Sequence, residues 1–244
     1  LSEDLKSAVD IKEIIARFTD GSRFEEFKPL YGSSLVCGWA SVHGYQIGII
    51  GNNGPIYPES AEKGASFIQL CNKRDIPLIF LHNVTGFLVG KDFERQGIIK
   101  KGSQLINAVS NSTVPHITFI VGASYGAGTY AMSGQAFNNR FTFLWPTAKI
   151  AVMGPEQMAG VMSIVRKAKA KRDGKKFDEK ADKQLREMVV DFLEKLSHGL
   201  VASSMLTDDG IIDPRDTRDV IGLCLSVVSN NVVKGAKEYG VFRL

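Results

Sequence analysis

The spacing best suited to chemistry lies in residues 114–132, VPHITFIVGASYGAGTYAM. Its β-branched apolar run, 117–121, predicts a buried strand. Gly122, Gly126 and Gly128 follow among small residues, and Tyr130, Ala131 and Met132 begin a helical pattern. A strand–turn–helix of this kind lets backbone come close to a bound group, because side chains are missing at the contact. It also leaves N–H groups at the helix start without intrahelical acceptors, at the positive end of the dipole. A developing oxyanion suits that position. The same glycines would equally serve a tight packing turn. No Lys-Ser/Thr pair and no G-x-G-x-x-G accompany them, which argues against a nucleotide-phosphate site.

A second unit of this kind lies upstream. Residues 77–81, PLIFL, read as an apolar strand running into His82-Asn83-Val84-Thr85-Gly86-Phe87. In an α/β fold, chemistry gathers at the carboxyl ends of strands. One N–H donor from each turn could therefore meet on a single oxygen. No paired carboxylates and no nucleophile-plus-histidine spacing stand out, so the chemistry expected is positioning and charge stabilisation.

The motifs NVTGFLVG, GASYGAGTYAM, FLWPTAKIAVMGPEQ and DDGIIDPRDTRDVIG occur in that order across nearly the whole chain. Together they resemble the carboxyltransferase β subunit of biotin-dependent acyl-CoA carboxylases, with the methylcrotonoyl-CoA carboxylase branch nearest and geranyl-CoA carboxylase close by. The match is to the second, C-terminal, of the family's two tandem domains. It implies an α/β, crotonase-like (ClpP/crotonase) spiral of ββα units and one domain over residues 1–244. It also implies transfer of a carboxyl group from carboxybiotin to an acyl-CoA. The biotin ureido oxygen would be held by backbone N–H groups of Gly86, Phe87, Ala127 and Gly128. Thr85, Val89, Tyr125, Gly126, Thr129, Tyr130, Gly154 and Glu156 would line the biotin and substrate pocket. Propionyl-type relatives carry Gly-Gly-Ala in the central turn with an Asp soon after. Here Tyr130 takes the place of that Asp, which implies a branched or unsaturated acyl group. His82 stands where near relatives have Gln.

The implied partners are the N-terminal carboxyltransferase domain, a biotin carboxylase/carrier α subunit, and further copies of the β subunit as dimers or a trimer of dimers. The implied compartment is the bacterial cytoplasm or the mitochondrial matrix. Other acyl-CoA carboxylases, a biotin-dependent decarboxylase subunit, a crotonase-like hydratase or isomerase, and a non-catalytic assembly domain are the competing readings. A hydratase would need a placed carboxylate, and Glu156 is the candidate.

Composition sets the bounds. The 244 residues are 44% hydrophobic, enough for one large core. A net charge of +4 without an aromatic-laced basic stripe does not suggest nucleic acid. No apolar run reaches membrane-spanning length. Cys37, Cys71 and Cys224 are odd in number and far apart, as expected of buried free thiols in a reducing compartment. The four histidines are scattered and neither CxxC nor HExxH occurs, so no metal is expected.

The positioning elements follow from periodicity. Residues 1–30 should give a leading helix, capped by Asp10, and a linker. Residues 34–50 should pair as strands around His43-Gly44. Residues 58–72 should form a helix with Glu59, Glu62 and Lys63 facing water. Residues 139–145 and 149–153 read as strands, the second leading into a helix at Glu156. The run 166–187 is expected to be a charged helical insertion, broken at Gly174. The helix after it should turn Val189, Phe192, Leu193 and Leu196 inward. His82 reads as a satisfied core histidine, with a pocket hydrogen-bonder as the alternative, and His116 as structural.

Overall fold

A computed structural model describes residues 10–137 and 139–239. The chain runs α1 (Ile11–Phe18), β1 (Glu25–Glu26), β2 (Leu35–Val42), β3 (Tyr45–Asn52), α2 (Pro58–Lys73), β4 (Leu78–Val84), α3 (Lys91–Arg95) and α4 (Ile98–Asn111). It continues through β5 (His116–Tyr125), α5 (Ala127–Ala131), β6 (Phe141–Leu144), β7 (Lys149–Ala151), α6 (Pro155–Arg172) and α7 (Glu179–Ser197). It closes with α8 (Gly199–Ser204), β8 (Gly210–Ile211) and α9 (Thr217–Val228).

Strands β1, β2 and β3 pair antiparallel, and β3, β4, β5 and β6 pair parallel. The central parallel strands β4 and β5 are buried along nearly their whole length because helices cover both faces, with His82, His116, Thr118 and Ser124 as buried polar exceptions. On one face, Phe80, Val84 and Leu105 pack with α2 and α4. On the other, Ile79, Phe119 and Val121 pack with Ile11, Ile15 and Phe18 of α1 and Ile221 and Leu225 of α9. Strand β5 has two partners in succession. Residues 117–120 pair with β6, and residues 123–125 pair with β7. With a register break in β4 between His82 and Val84, this bends the sheet into the crotonase-like spiral.

The Asp10 cap is present, its carboxylate accepting from the Lys12 N–H at 3.0 Å. Residues 1–9 of the expected leading segment lie outside the described residues. The β2–β3 turn falls at His43 and Gly44, both at positive φ. All three cysteines are free and buried, and burial pushes their thiols up.

Three expectations are corrected. Lys63 does not face water: α2 is packed against both β2 and α4, and Lys63 is 1% exposed. The charged insertion is part of a longer hairpin, α6 and α7, turning at Gly174 with φ 65°. Phe192 and Leu196 point outward from it, because α7 packs on α6 through another face, and a break at His198 separates α7 from α8.

Candidate active site

The two glycine turns are neighbours because β4 and β5 are neighbours. Val84 pairs with Ser124, and each strand then runs into its turn. Gly86 has φ 130°, and Gly126 has φ 55° and ψ −136°, conformations that side-chain-bearing residues rarely adopt. Gly128 fits against the first turn. A Cβ placed on it would lie 2.9 Å from Val84 Cγ2 and 3.2 Å from Gly86 Cα. The second turn is pinned from the far side, where the Gly126 N–H donates to Ala151 O at 3.0 Å.

Among the described residues, the N–H groups of Ala127 and Gly128 have no protein acceptor, since both sit in the first turn of α5. Gly86 O and the Leu88 N–H both bond Ile56, at 3.0 and 3.1 Å. The intervening Phe87 N–H therefore faces the other way. The Phe87 ring packs on α4, where a Cβ on Gly102 would meet it at 3.0 Å. That anchors the first turn without filling the space in front of its backbone.

A cavity of about 650 Å³ opens beside the second turn. Gly126, Ala127, Thr129 and Tyr130 form one wall, and Ile150 and Val152 a second. The third wall comes from Leu196, Val201 and Met205 of α7, α8 and the turn after it. Val201 and Met205 of that wall were not foreseen, although they stand in an uncharged stretch that follows the charged run. The cavity's lining is mainly apolar, which strengthens any hydrogen bond made inside it. A larger cavity, about 730 Å³, lies between α1, Trp145 and Pro214. It is remote from the turns, and its arginines are paired: Arg17 with Glu13, Arg215 with Asp213 and Arg218 with Asp20. The smaller cavity is the functional candidate because Ala127, one of the residues with a free N–H, lines it.

The other expected residues are distributed around this centre. Tyr125 is buried at the end of β5, and burial followed by the Glu194 carboxylate holds its phenol above the ordinary value. Its ring approaches Gly154, the N-cap of α6. Tyr130 is 48% exposed at the cavity mouth, with its ring edge-on to Phe137 at 5.8 Å. Thr85 and Val89 are exposed beyond the first turn. Glu156 is exposed in the first turn of α6 and does not line the cavity.

His82 is fully buried. Its Nε2 lies 2.6 Å from Met132 O and its Nδ1 2.9 Å from Ser124 Oγ, and burial drives the imidazole down to about 4. His116 is held between Ser133 Oγ and Ser112 Oγ, both at 2.7 Å. Both are core histidines with satisfied nitrogens.

Residues 2–242 match the family model described as carboxyl transferase domain. The chain belongs to this family. It is 56% identical to a probable biotin-dependent acyl-coenzyme A carboxylase beta2 subunit of Mycobacterium tuberculosis, over 99% of this chain and 46% of that protein. It is 48% identical to a probable mitochondrial methylcrotonoyl-CoA carboxylase beta chain of Drosophila melanogaster, over 99% of this chain and 42% of that one. The structure is similar to the geranyl-CoA carboxylase beta subunit of P. aeruginosa, with a TM-score of 0.87 and 44% identity, over 98% of this chain and 45% of that one. The chain thus spans about half the length of the carboxyl transferase relatives it matches. Among the described residues, no helix is long and apolar enough to cross a membrane.

Proposed function

We propose that this chain is the biotin-binding half of a carboxyltransferase, which moves a carboxyl group from carboxybiotin to an acyl-CoA. The observation that carries the proposal is the close approach of Gly128 to Gly86, which supports a site where donors from the two turns meet on one oxygen. Residues and ligand are compatible: the cradle leaves no room for side chains, it offers donors to an oxygen, and an apolar cavity adjoins it. Biotin supplies the carboxyl group to be moved and a ureido oxygen that gains negative charge as that group departs. The N–H groups of Gly86, Phe87, Ala127 and Gly128 hold such an oxygen in a fixed place and stabilise its charge. Losing one donor of this kind costs about 3 kcal/mol in comparable sites. The apolar walls from β7, α7 and α8 keep water from the departing group.

Tyr130 at the cavity mouth supports a branched, unsaturated acceptor, 3-methylcrotonoyl-CoA, with geranyl-CoA the nearest alternative. The cavity is open on one side, and Val152, Phe192, Leu200 and Met205 expose apolar surface around and beyond it. This supports a partner, the N-terminal carboxyltransferase domain, whose surface completes the site and carries the thioester end of the acyl-CoA. The α subunit would deliver the biotin, in the bacterial cytoplasm or the mitochondrial matrix.

The test is carboxylation of 3-methylcrotonoyl-CoA, geranyl-CoA and propionyl-CoA by the assembled carboxylase that contains this chain. The reading expects the highest kcat/KM for the methylcrotonoyl substrate. Preference for propionyl-CoA would overturn the acyl assignment. No biotin-dependent transfer to any of the three would overturn the reaction.

A further inference from the structure

The donor-bearing helix α5 is five residues long. So short a helix cannot hold its own shape, because nucleation is costly and few bonds repay it. Its N-cap, Gly126, offers no side chain. Something outside the helix must fix the direction of the Ala127 and Gly128 N–H groups.

His82 touches the C-terminal end of α5 directly and its middle through Ser124. Met132 is the C-cap of α5, and its carbonyl oxygen lies 2.6 Å from His82 Nε2. A carbonyl only accepts, so Nε2 carries the hydrogen. Nδ1 is then an acceptor, and it takes the hydroxyl hydrogen of Ser124 at 2.9 Å. Ser124 Oγ in turn accepts from Thr129 Oγ1, 2.9 Å away and inside α5. Every donor in this chain has an acceptor, and every direction is determined. The imidazole is fully buried, and both its nitrogens are engaged. A proton-transfer role would require it to let go of Met132 or of Ser124.

We infer that His82 is a positioning residue: it clamps α5 from Thr129, through Ser124, to Met132, and so aims the N–H groups that the carboxyl transfer uses. The catalytic part of this inference rests on the proposed function, and the structural part does not. Gln in this place could donate to Met132 O and accept from Ser124, whereas Met fills similar volume and does neither.

The test uses His82→Gln, His82→Met and Ser124→Ala in the assembled carboxylase, read by amide hydrogen exchange and by steady-state kinetics. In His82→Met, exchange at Thr129, Met132, Ser133 and Gly134 is expected to quicken by about tenfold or more, while β4 and β5 stay protected. Their N–H groups now bond Gly126, Gly128, Tyr130 and Thr129, respectively. The kcat should fall by roughly 10- to 100-fold with the acyl-CoA KM little changed, because misaimed donors fail the transition state and not substrate binding. His82→Gln should recover most of both. Ser124→Ala, which keeps the imidazole, should give an intermediate change and serves if His82→Met does not fold. Unchanged exchange in both Met and Ala variants would overturn the clamp, as would a folded Gln variant no better than Met. Absence of carboxyl transfer in the unaltered assembly would instead remove the proposed function and leave the exchange result to decide the clamp.

Discussion

The Arg218 guanidinium lies 2.6 Å from the Asp20 carboxylate and ties α9 to the end of α1. The same guanidinium donates to Phe18 O, also at 2.6 Å. Asp20 further accepts the N–H groups of His43 and Gly44 in the β2–β3 turn, at 3.0 and 2.9 Å. One carboxylate thus joins three elements that are remote in sequence. The Gly44 N–H first, and then Arg218, hold its pKa down at about 2. An unfolded Asp titrates near 3.9. A depressed carboxylate contributes its stability in full above the unfolded value and loses it as pH falls toward the folded one. The stability gap between the natural chain and Asp20→Ala should be wide at neutral pH and shrink from about pH 4 down to about pH 2. Urea midpoints at stepped pH measure it, and a gap that is flat through that window would contradict the assignment.

Gly128→Val tests the junction of the two turns. Its Cβ alone would meet Val84 Cγ2 at 2.9 Å, and branching adds a second clash. Separating the turns moves donors away from the shared oxygen, so kcat should drop by about 10²- to 10³-fold. Gly128 is buried, so the substitution adds no new surface, and the variant's sedimentation should be unchanged. Full activity in a folded Gly128→Val protein would remove the oxyanion role.

What the sequence made legible follows from how local each signal is. Both glycine turns could be read because a strand period, a positive-φ glycine and a helix start are all written within a few residues. The spiral could not, since it depends on β5 taking β6 and β7 as successive partners. Phe192 misled because apolar residues at helical spacing normally mark a core, and here it marks surface, while Leu196 faces the open cavity. Lys63 misled in the opposite sense, because charge usually marks the wet face of a helix. The clamp at His82 was invisible because Ser124 and Met132 meet it only after β4 and β5 pair. The resemblance to the family carried the biotin reading, which no spacing within this chain would have yielded.

Arg166→Ala probes the hairpin that walls the cavity. The Asp182 side chain is 6% exposed and accepts from Ser163 Oγ at 2.5 Å and Arg166 Nη1 at 2.8 Å. Removing the guanidinium leaves a nearly buried carboxylate with one donor. Because Arg166 itself is partly solvated, the cost should be about 1–2 kcal/mol, below that of a fully buried pair. Denaturant unfolding measures it. A loss under a few tenths of a kcal/mol would mean that solvent already screens the pair.

Phe192→Glu separates interface from core. Phe192 is 60% exposed on α7, so its loss removes little packing within the chain, and stability should change by no more than about 0.5 kcal/mol. If this face meets the N-terminal carboxyltransferase domain, a carboxylate there must be desolvated against an apolar surface, and association should weaken by at least about tenfold. Light scattering of the assembled carboxylase reads the outcome. Undiminished assembly would move the contact to another face.

Lys63→Met should stabilise the chain. Lys63 Nζ is buried and, among the described residues, has no hydrogen-bond partner. Burial lowers its pKa, against the milder opposing effects of Cys37 and Glu26. The folded state therefore binds that proton less tightly than the unfolded state does, and stability rises with pH up to the ordinary lysine value near 10.4. Methionine keeps the unbranched shape and removes the desolvation cost, so a gain of about 1–3 kcal/mol is expected at neutral pH. The gain should shrink as pH rises from the lowered folded value toward 10.4, because the folded lysine sheds its proton first, and should level off where the unfolded lysine titrates too. Calorimetry at pH 7 and pH 10 gives both values. A destabilised Met variant would mean that the ammonium is paired in the folded state, and that α2 uses Lys63 as a partner rather than tolerating it.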